Sequence, residues 1–515
     1  MAKNQRTPSF KDYHQGQAFL LPPTFDDLIP QNHAVRVVSS ILDRVDLEAL
    51  LKSYDGGGAS SYHPRMLLKV LVYGYLCNIY STRKLEEATS QNIHFMWLSG
   101  MSIPDHNTIA RFRTGKLKTV CKQIFTQVVL MLVESGHVDL KQVYTDGTKI
   151  ESRANRYTFV WGKAIKTSRK RIASQLEELW SYAEQMAQDE LKESRPESFS
   201  SLTPEQVDQT LDRIHKAIKD KPIDSKKRQK VNYAKKNWPD KLREYDQKED
   251  ILGDRNSYSK TDPDATFMRM KEDHMLNGQL KPGYNIQFTT VKGQFIAHYS
   301  IHPNPTDTLT LIPHLEGFKQ AYGYYPQAEV ADAGYGSEEN LNYLNNNNID
   351  AYVKHNYFDR EQKEGVKALS EYHPDNLPYD ADQDCFHCPA GKKLVFIGSS
   401  MQITASGYKR TLSKYQSIDC GDCPLRAKCH KGKGNRIIEV SHLLRNLRKK
   451  ATERLLTEEG IEHRKRRAID SEGTFGNIKA NHRFRRFNTC GKDNVSVEVG
   501  LLALAQNLRK WANLS

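Results

Sequence analysis

No run of apolar residues in this chain is long enough to span a bilayer. The first residues, MAKNQRTPSF, lack the apolar core of a secretory signal. Together these absences predict a chain with no membrane partner that stays in a reducing cytoplasm. Cysteine is scarce, 8 in 515 residues, which argues against a disulfide scaffold and makes thiols or metal ligands the expected roles. Acid is the minority charge. Asp and Glu number 62 against 76 Lys and Arg, a net charge of +14, and the pI is near 9.1. That balance favours nucleic acid as the partner, and a ribosome-like or membrane-surface role shares it. Mean hydropathy is −0.70 with 38% apolar residues. A globular chain with long polar helices fits these values, and the length predicts about two to four domains.

What is present concentrates in one stretch, His463 to Phe487. It sets the carboxylates Asp470 and Glu472 among Arg464, Lys465, Arg466 and Arg467 upstream and Lys479, Arg483, Arg485 and Arg486 downstream. Read as a helix, Glu472, Phe475 and Lys479 fall on neighbouring turns of one side. Phe475 anchors the helix in a core, and Glu472 points inward beside it. A polyanion lying along the basic flanks would present its backbone to that acid. A solvated basic helix with an internally paired Glu has the same pattern.

The N-terminal third reads as helical. Pro22, Pro23 and Pro30 punctuate an irregular entry, His33–Leu51 has helical spacing, and Gly56 to Gly58 mark a loop. MLLKVLVYGYLCNIY is apolar on nearly every side, a buried helix behind Pro64. PDHNTIARFR is a short basic helix offering Arg111 and Arg113. The series resembles a helix-turn-helix, a pattern that small helical bundles share.

Strand patterning begins at KQVYTDGTKIES, where Asp146 precedes Gly147. Acids at strand ends are where catalytic groups sit in α/β folds, although an Asp-Gly turn is common. Residues 157–280 interrupt the pattern with Trp161 among cations, then polar helices with few large apolar residues, read as a protruding hairpin or coiled coil. Trp161 could stack on a base or sit in a core at the hairpin's root. GYNIQFTTV and QFIAHYSI flank Lys292-Gly293 as a hairpin, and AEVADAGYG places Asp332 at another strand end. Without the insertion the order is β-β-β-α-β-α-β, that of a ribonuclease-H-like core.

A second insertion carries Cys385, Cys388, Cys420, Cys423 and Cys429. Paired CxxC spacings in a cytosolic chain point to structural zinc. Cys388, Cys420, Cys423 and Cys429 are the favoured ligands, with Cys385 the spare or alternative, and five metal-free thiols are the other reading. Cys77, Cys121 and Cys490 read as core residues. The final apolar helix should close the fold on the sheet.

Asp146, Asp332 and Glu472 then stand out as oxygen donors suited to two Mg²⁺ or Mn²⁺ ions about 4 Å apart. TDGTKIES, ADAGYGSEEN and EGTFGNIKANHRFRRF resemble the blocks around the two Asp and one Glu of bacterial insertion-sequence transposases of the DDE type. HPRMLLKVLVYGYL and PDHNTIARFR resemble the helical N-terminal domain of that family, and a cysteine-bearing insertion before the Glu block is known in one branch. The resemblance covers most of residues 60–510. It implies an α/β chain with an RNase-H-like, retroviral-integrase-like mixed sheet. The helical N-terminal DNA-binding domain would be 1–135 and the core 136–160, 282–355 and 441–515. A helical insertion would occupy 161–281 and a small zinc-ribbon-like insertion 356–440. It implies Asp146, Asp332 and Glu472 as metal ligands in Mg²⁺-dependent cleavage at the element's ends, freeing a 3′-hydroxyl that attacks target DNA. The partners implied are double-stranded DNA, gripped by residues such as Arg111, Arg113, Trp161, Arg464, Arg467, Lys479, Arg483, Arg485 and Arg486, and a second copy in a homodimer. Many relatives carry Tyr-x2-Arg-x3-Glu-x6-Lys. Glu472 and Lys479 fit this, but Ala468 stands where Arg is expected and Lys465 where Tyr is expected, with Arg467 one residue out of register. A DNA-binding relative without cleavage, and an RNase-H-like nuclease without strand transfer, are the alternatives.

Overall fold

The computed structural model describes residues 24–54, 61–187, 191, 195–270, 278–363 and 369–514. The entry around Pro22 and Pro23 and the Gly56–Gly58 loop lie outside them. No helix among the described residues is long and apolar enough to cross a membrane.

The N-terminal helices run Ala34–Arg44, Glu48–Leu51, Pro64–Leu76, Thr82–Gln91, Ile93–Ser99, His106–Arg111 and Cys121–Glu134. Pro64 occupies the first turn behind a His63 cap, where a missing N–H costs nothing. Its helix is apolar nearly all round and is buried accordingly, from Leu67 to Tyr75. Gly74 faces Leu85 so closely that a Cβ would collide with it, which lets the Thr82–Gln91 helix pack tightly. One core runs from these helices through the sheet residues Tyr284, Ile286 and Phe288 to the last helix, Lys492–Ala512. Of the three cysteines expected in cores, Cys121 is buried, Cys490 is half-buried and Cys77 is exposed. Cys77 sits just past the last turn of the Pro64–Leu76 helix, where the chain turns outward.

Strand β1 (Gln142–Glu151) is followed by the short β2 (Phe159–Trp161), and after a helical insertion by β3 (Ser257–Ser259). Then come β4 (Thr266–Arg269), β5 (Leu280–Val291), β6 (Phe295–His302), β7 (Ala328–Ala331) and β8 (Asp350–Val353). In the main sheet β1 lies between β5, antiparallel, and β7, parallel; β8 is parallel to β7. The far edge of β5 pairs with β6 and, nearer its start, with β4, both antiparallel. Lys292-Gly293 does form the hairpin turn between β5 and β6, with Gly293 and Gln294 at positive φ. The closing helix meets the edge of β6, where the Asn507 amide bonds both the N–H and the carbonyl of Ile296 at 2.8 Å.

The first insertion departs from expectation. Helices Gly162–Met186, Pro204–Ile218 and Ser225–Leu252 form a bundle around their own core, including Leu176, Trp180, Leu211, Ile214, Trp238 and Leu242. Dense charge on the outer faces hid that apolar stripe. The second insertion is a five-stranded antiparallel sheet of β9 (Tyr379–Asp380), β10 (Cys385–His387), β11 (Lys393–Ile403), β12 (Lys409–Ser417) and β13 (Ile437–Val440), ordered 13-12-11-10-9.

Candidate active site

Asp146 sits in β1 directly opposite Phe288 of β5. Opposed residues of an antiparallel pair share a face, so both look the same way. Phe288 stacks on Phe475, with ring centroids 5.0 Å apart. Asp146 is buried on that face, and its Oδ1 accepts the Gly147 N–H at 2.8 Å. Gly147 has no room for a side chain, since a Cβ would lie 2.6 Å from Asp307 Oδ1 and would strike the Gln287 amide.

Asp332 follows β7. The parallel register aligns Tyr144 with Val330. β7 ends at Ala331, so Asp332 lies just past it, beside the strand that carries Asp146. The acids Asp146, Asp332 and Glu472 do not form a group of described residues with ligand atoms within 4.8 Å of one another. Neighbouring strands are about 4.8 Å apart. Asp332 Oδ1 accepts the Gly334 N–H at 2.8 Å, capping the turn Ala333–Tyr335.

Glu472 lies on a helical rod that covers the same face. The rod comprises Glu458–Arg467 (α), Ala468–Glu472 (π), Gly473–Gly476 (α) and Asn477–Asn481 (π). His463 meets the Tyr144 hydroxyl at 3.1 Å. The Ser471 hydroxyl lies 3.0 Å from that of Thr290, and Phe475 covers Phe288. Glu472 does not point inward beside Phe475, as the helical reading expected. Its side chain is 55% exposed and paired with Arg467 at 2.7 Å. The extra residue of the π turn rotates the Glu outward relative to a regular helix. The same turn accounts for the register of Arg467. A π turn advances five residues where an α turn advances four, so Arg467 reaches Glu472 as an Arg four residues upstream would on a regular helix.

Asp470, by contrast, is buried. Its Oδ1 accepts the N–H groups of Gly293 and Gln294 at 3.0 and 3.1 Å. It ties the rod to the β5–β6 turn, and burial raises its pKa. Burial also raises the Tyr144 hydroxyl to about 12, with the Asp470 charge adding to the effect.

The basic residues divide. Arg111 is exposed. Arg113 is not available to DNA on an exposed side: it is 5% exposed and donates to the Tyr80 carbonyl at 2.9 Å. Helical wheel spacing could not separate the two, because the helix changes to a π turn at Phe112–Lys116. Lys479 donates to the Lys149 carbonyl of β1 at 3.0 Å, and Arg485 to the Lys479 carbonyl. Arg486 clamps the carbonyls of Ser152, Arg153 and Ala154. Arg464 lies over the Phe358 ring, 5.3 Å from its centroid, and Arg483 has positive φ. Trp161 is half-buried between Phe159 and Phe267 at the root of the helical insertion.

The sequence reading missed the polar layer on the opposite face. Asp307 Oδ1 accepts from Asn285 at 2.7 Å and Gln287 at 3.0 Å, and Tyr335 donates to Gln287. Glu329 of β7 is fully buried, and burial raises its carboxyl to about 8, with Thr145 opposing the shift. Glu329 lies in β7, which ends just before Asp332; a carboxylate inside AEVA gave no pattern to read.

Asp146, Asp332 and Glu472 offer only carboxylate oxygens, a donor set that fits Mg²⁺ or Mn²⁺. Cys388, Cys420, Cys423 and Cys429 line one space of about 20 Å³, with Arg436 beside it. The Arg436 guanidinium donates to Cys429 Sγ at 3.1 Å; four sulfur donors suit zinc, although no three of these sulfurs lie within 4.8 Å of one another. Cys385 does not line that space. It lies instead with Asp380 and His387, the one group of described residues whose three ligand atoms fall within 4.8 Å of one another.

Two family models match the chain. One, described as a transposase DDE domain, covers residues 387–512 and so includes Glu472. The other, described as a transposase domain (DUF772), covers residues 23–115, the N-terminal helices. No curated protein matches, and no solved structure matches. Both matched segments are transposase domains, and together they support an insertion-sequence transposase of the DDE type.

Proposed function

We propose that the chain binds the ends of its element and cuts and joins DNA strands by metal-dependent phosphoryl transfer, with Asp146, Asp332 and Glu472 holding two Mg²⁺ or Mn²⁺ ions. What supports this reading is that β1, which carries Asp146, pairs in parallel with β7, which Asp332 directly follows, and that the rod bearing Glu472 packs across β1 and β5 through His463, Ser471 and Phe475. The reading includes an RNase-H-like core. Its support is a central β1 with an antiparallel β5–β6 hairpin on one side and parallel β7 and β8 on the other. It also keeps residues 1–135 as a DNA-binding domain, 161–281 as a helical insertion and 356–440 as a zinc-bearing one. Cys388, Cys420, Cys423 and Cys429 hold that zinc.

The paired ions, when bound, supply an activated attacking oxygen and a stabilised leaving oxygen. The chain's own part is placement. Strand geometry fixes Asp146 and Asp332, and the Gly147 and Gly334 amides hold one oxygen of each. Glu472 turns toward them, oriented by its pair with Arg467. Arg111, Arg464 and the chain's net charge of +14 hold the duplex backbone. Two ends are brought together by a homodimer in the cytoplasm, beside the nucleoid.

The test uses the full chain and a plasmid carrying both element ends. Asp146→Asn, Asp332→Asn and Glu472→Gln should each abolish Mg²⁺-dependent cleavage and keep binding to end DNA. Normal cleavage by any one of the three removes that residue from the site. Cleavage without joining by the parent protein would make it a nuclease.

A further inference from the structure

We propose that Asp380, Cys385 and His387 form a second metal site, for one zinc-class divalent cation, separate from the four-cysteine site. The inference is independent of the catalytic reading.

Strand pairing creates the site. Cys385 of β10 lies directly opposite Asp380 of β9, so their side chains share a face. His387 is two residues on, which returns it to that face. Phe386, between them, points the other way, into a small core with Leu394 and Tyr415. Cys385 Sγ lies 3.9 Å from His387 Nε2, and His387 Nε2 lies 4.0 Å from Asp380 Oδ2. Tetrahedral zinc with ordinary bond lengths would set these separations at about 3.6 and 3.4 Å. Movements of a few tenths of an ångström in each side chain close the difference.

The donors are a thiol, an imidazole and a carboxylate. That mixture suits a borderline ion such as Zn²⁺ and not Mg²⁺, which takes oxygen. Asp380 is already oriented for it. Its Oδ1 accepts the N–H groups of Asp382 and Gln383 at 3.0 and 3.2 Å, leaving Oδ2 to face His387. Backbone support of this kind is how ligating carboxylates are held. Cys385 is buried while His387 is partly exposed, so an ion has a way in and a fourth position open to water.

There is also a structural need. β9 is two residues long and ends its sheet. The core beneath it is small. Small units with little core are commonly stapled by metal. An ion here pins β9 to β10.

The experiment is metal analysis of the full chain, purified with zinc present and desalted. The parent protein should carry two zinc ions per chain. His387→Ala and Asp380→Asn should each carry one, with unchanged circular dichroism. Cys385→Ser is the third variant; since Cys385 is buried, the half-exposed His387 decides if that variant fails to fold. A Cys420→Ser, Cys423→Ser double variant should lose the other ion. Equal zinc in the parent and His387→Ala overturns the proposal, and so does a parent with no zinc. Undiminished zinc in the double variant overturns only the four-cysteine assignment.

Discussion

Arg467 pairs with Glu472 at 2.7 Å across five residues of helix, and it can do so because the turn between them is π-helical. A regular helix brings residues three and four apart together. The inserted residue here moves the partner one place upstream. The pair holds Glu472 at the surface of the rod and above the face that carries Asp146.

This pair gives the first prediction. Arg467→Ala should reduce DNA cleavage by about 10- to 100-fold, the usual cost of removing a residue that orients a metal ligand. Arg467→Lys should recover part of the activity, because it keeps the charge and loses the fork. The loss should shrink as Mg²⁺ is raised. Identical rates for the parent and Arg467→Ala across a Mg²⁺ titration would show that the pair is only a surface contact.

Arg113 and Arg111 should separate in experiment. Arg113 is buried against the Tyr80 carbonyl, so Arg113→Ala leaves buried acceptors unpaired and should lower stability by about 2 to 4 kcal/mol. Arg111→Ala should leave the melting temperature within a degree or two, since exposed substitutions cost little, and weaken DNA binding most at low salt. Thermal melts and binding titrations on the same preparations distinguish the two. An unchanged melting temperature for Arg113→Ala would contradict its buried role.

Glu329 predicts a pH dependence. Its carboxyl is raised from 4.5 to about 8 by burial. Below pH 4.5 it is protonated whether the chain is folded or not, and its contribution to stability is fully present. As pH rises toward 8 the unfolded chain releases the proton and the folded chain keeps it, so that contribution is lost. Glu329→Gln should remove this slope and be favoured over the parent by on the order of 3 kcal/mol at pH 7. Urea midpoints at pH 5 and 7 measure it. Parallel pH profiles for the two proteins would rule out a buried, titrating Glu329.

The parts of the fold that sequence patterning reached are those with short, local causes. Val143 and Tyr144 read as strand and the Lys292-Gly293 hairpin as a turn, but the strand end expected at Asp146-Gly147 is not there: β1 continues through both residues to Glu151, paired along its length with β5. The final helix was visible from its apolar density. What stayed hidden depends on contacts or on changes of helical period. Trp180 and Trp238 lie within highly charged helices, and only the packing of three such helices shows their shared core. Asp470 and Glu472 look alike in sequence. One is buried under the β5–β6 turn and the other faces solvent, a difference set by where the rod crosses the sheet. A π turn has no compositional signature, so the orientation of Glu472 and the burial of Arg113 could not be derived from a 3.6-residue repeat.

The Asn507 amide occupies both main-chain groups of Ile296, a residue made 211 positions earlier. A strand rim left open is a template for unwanted pairing with other chains. During synthesis that part of the rim must wait for 211 further residues before its own cover arrives. The nascent chain therefore passes through a long interval in which it is vulnerable to self-association, and the helix Lys492–Ala512 is the one that ends it.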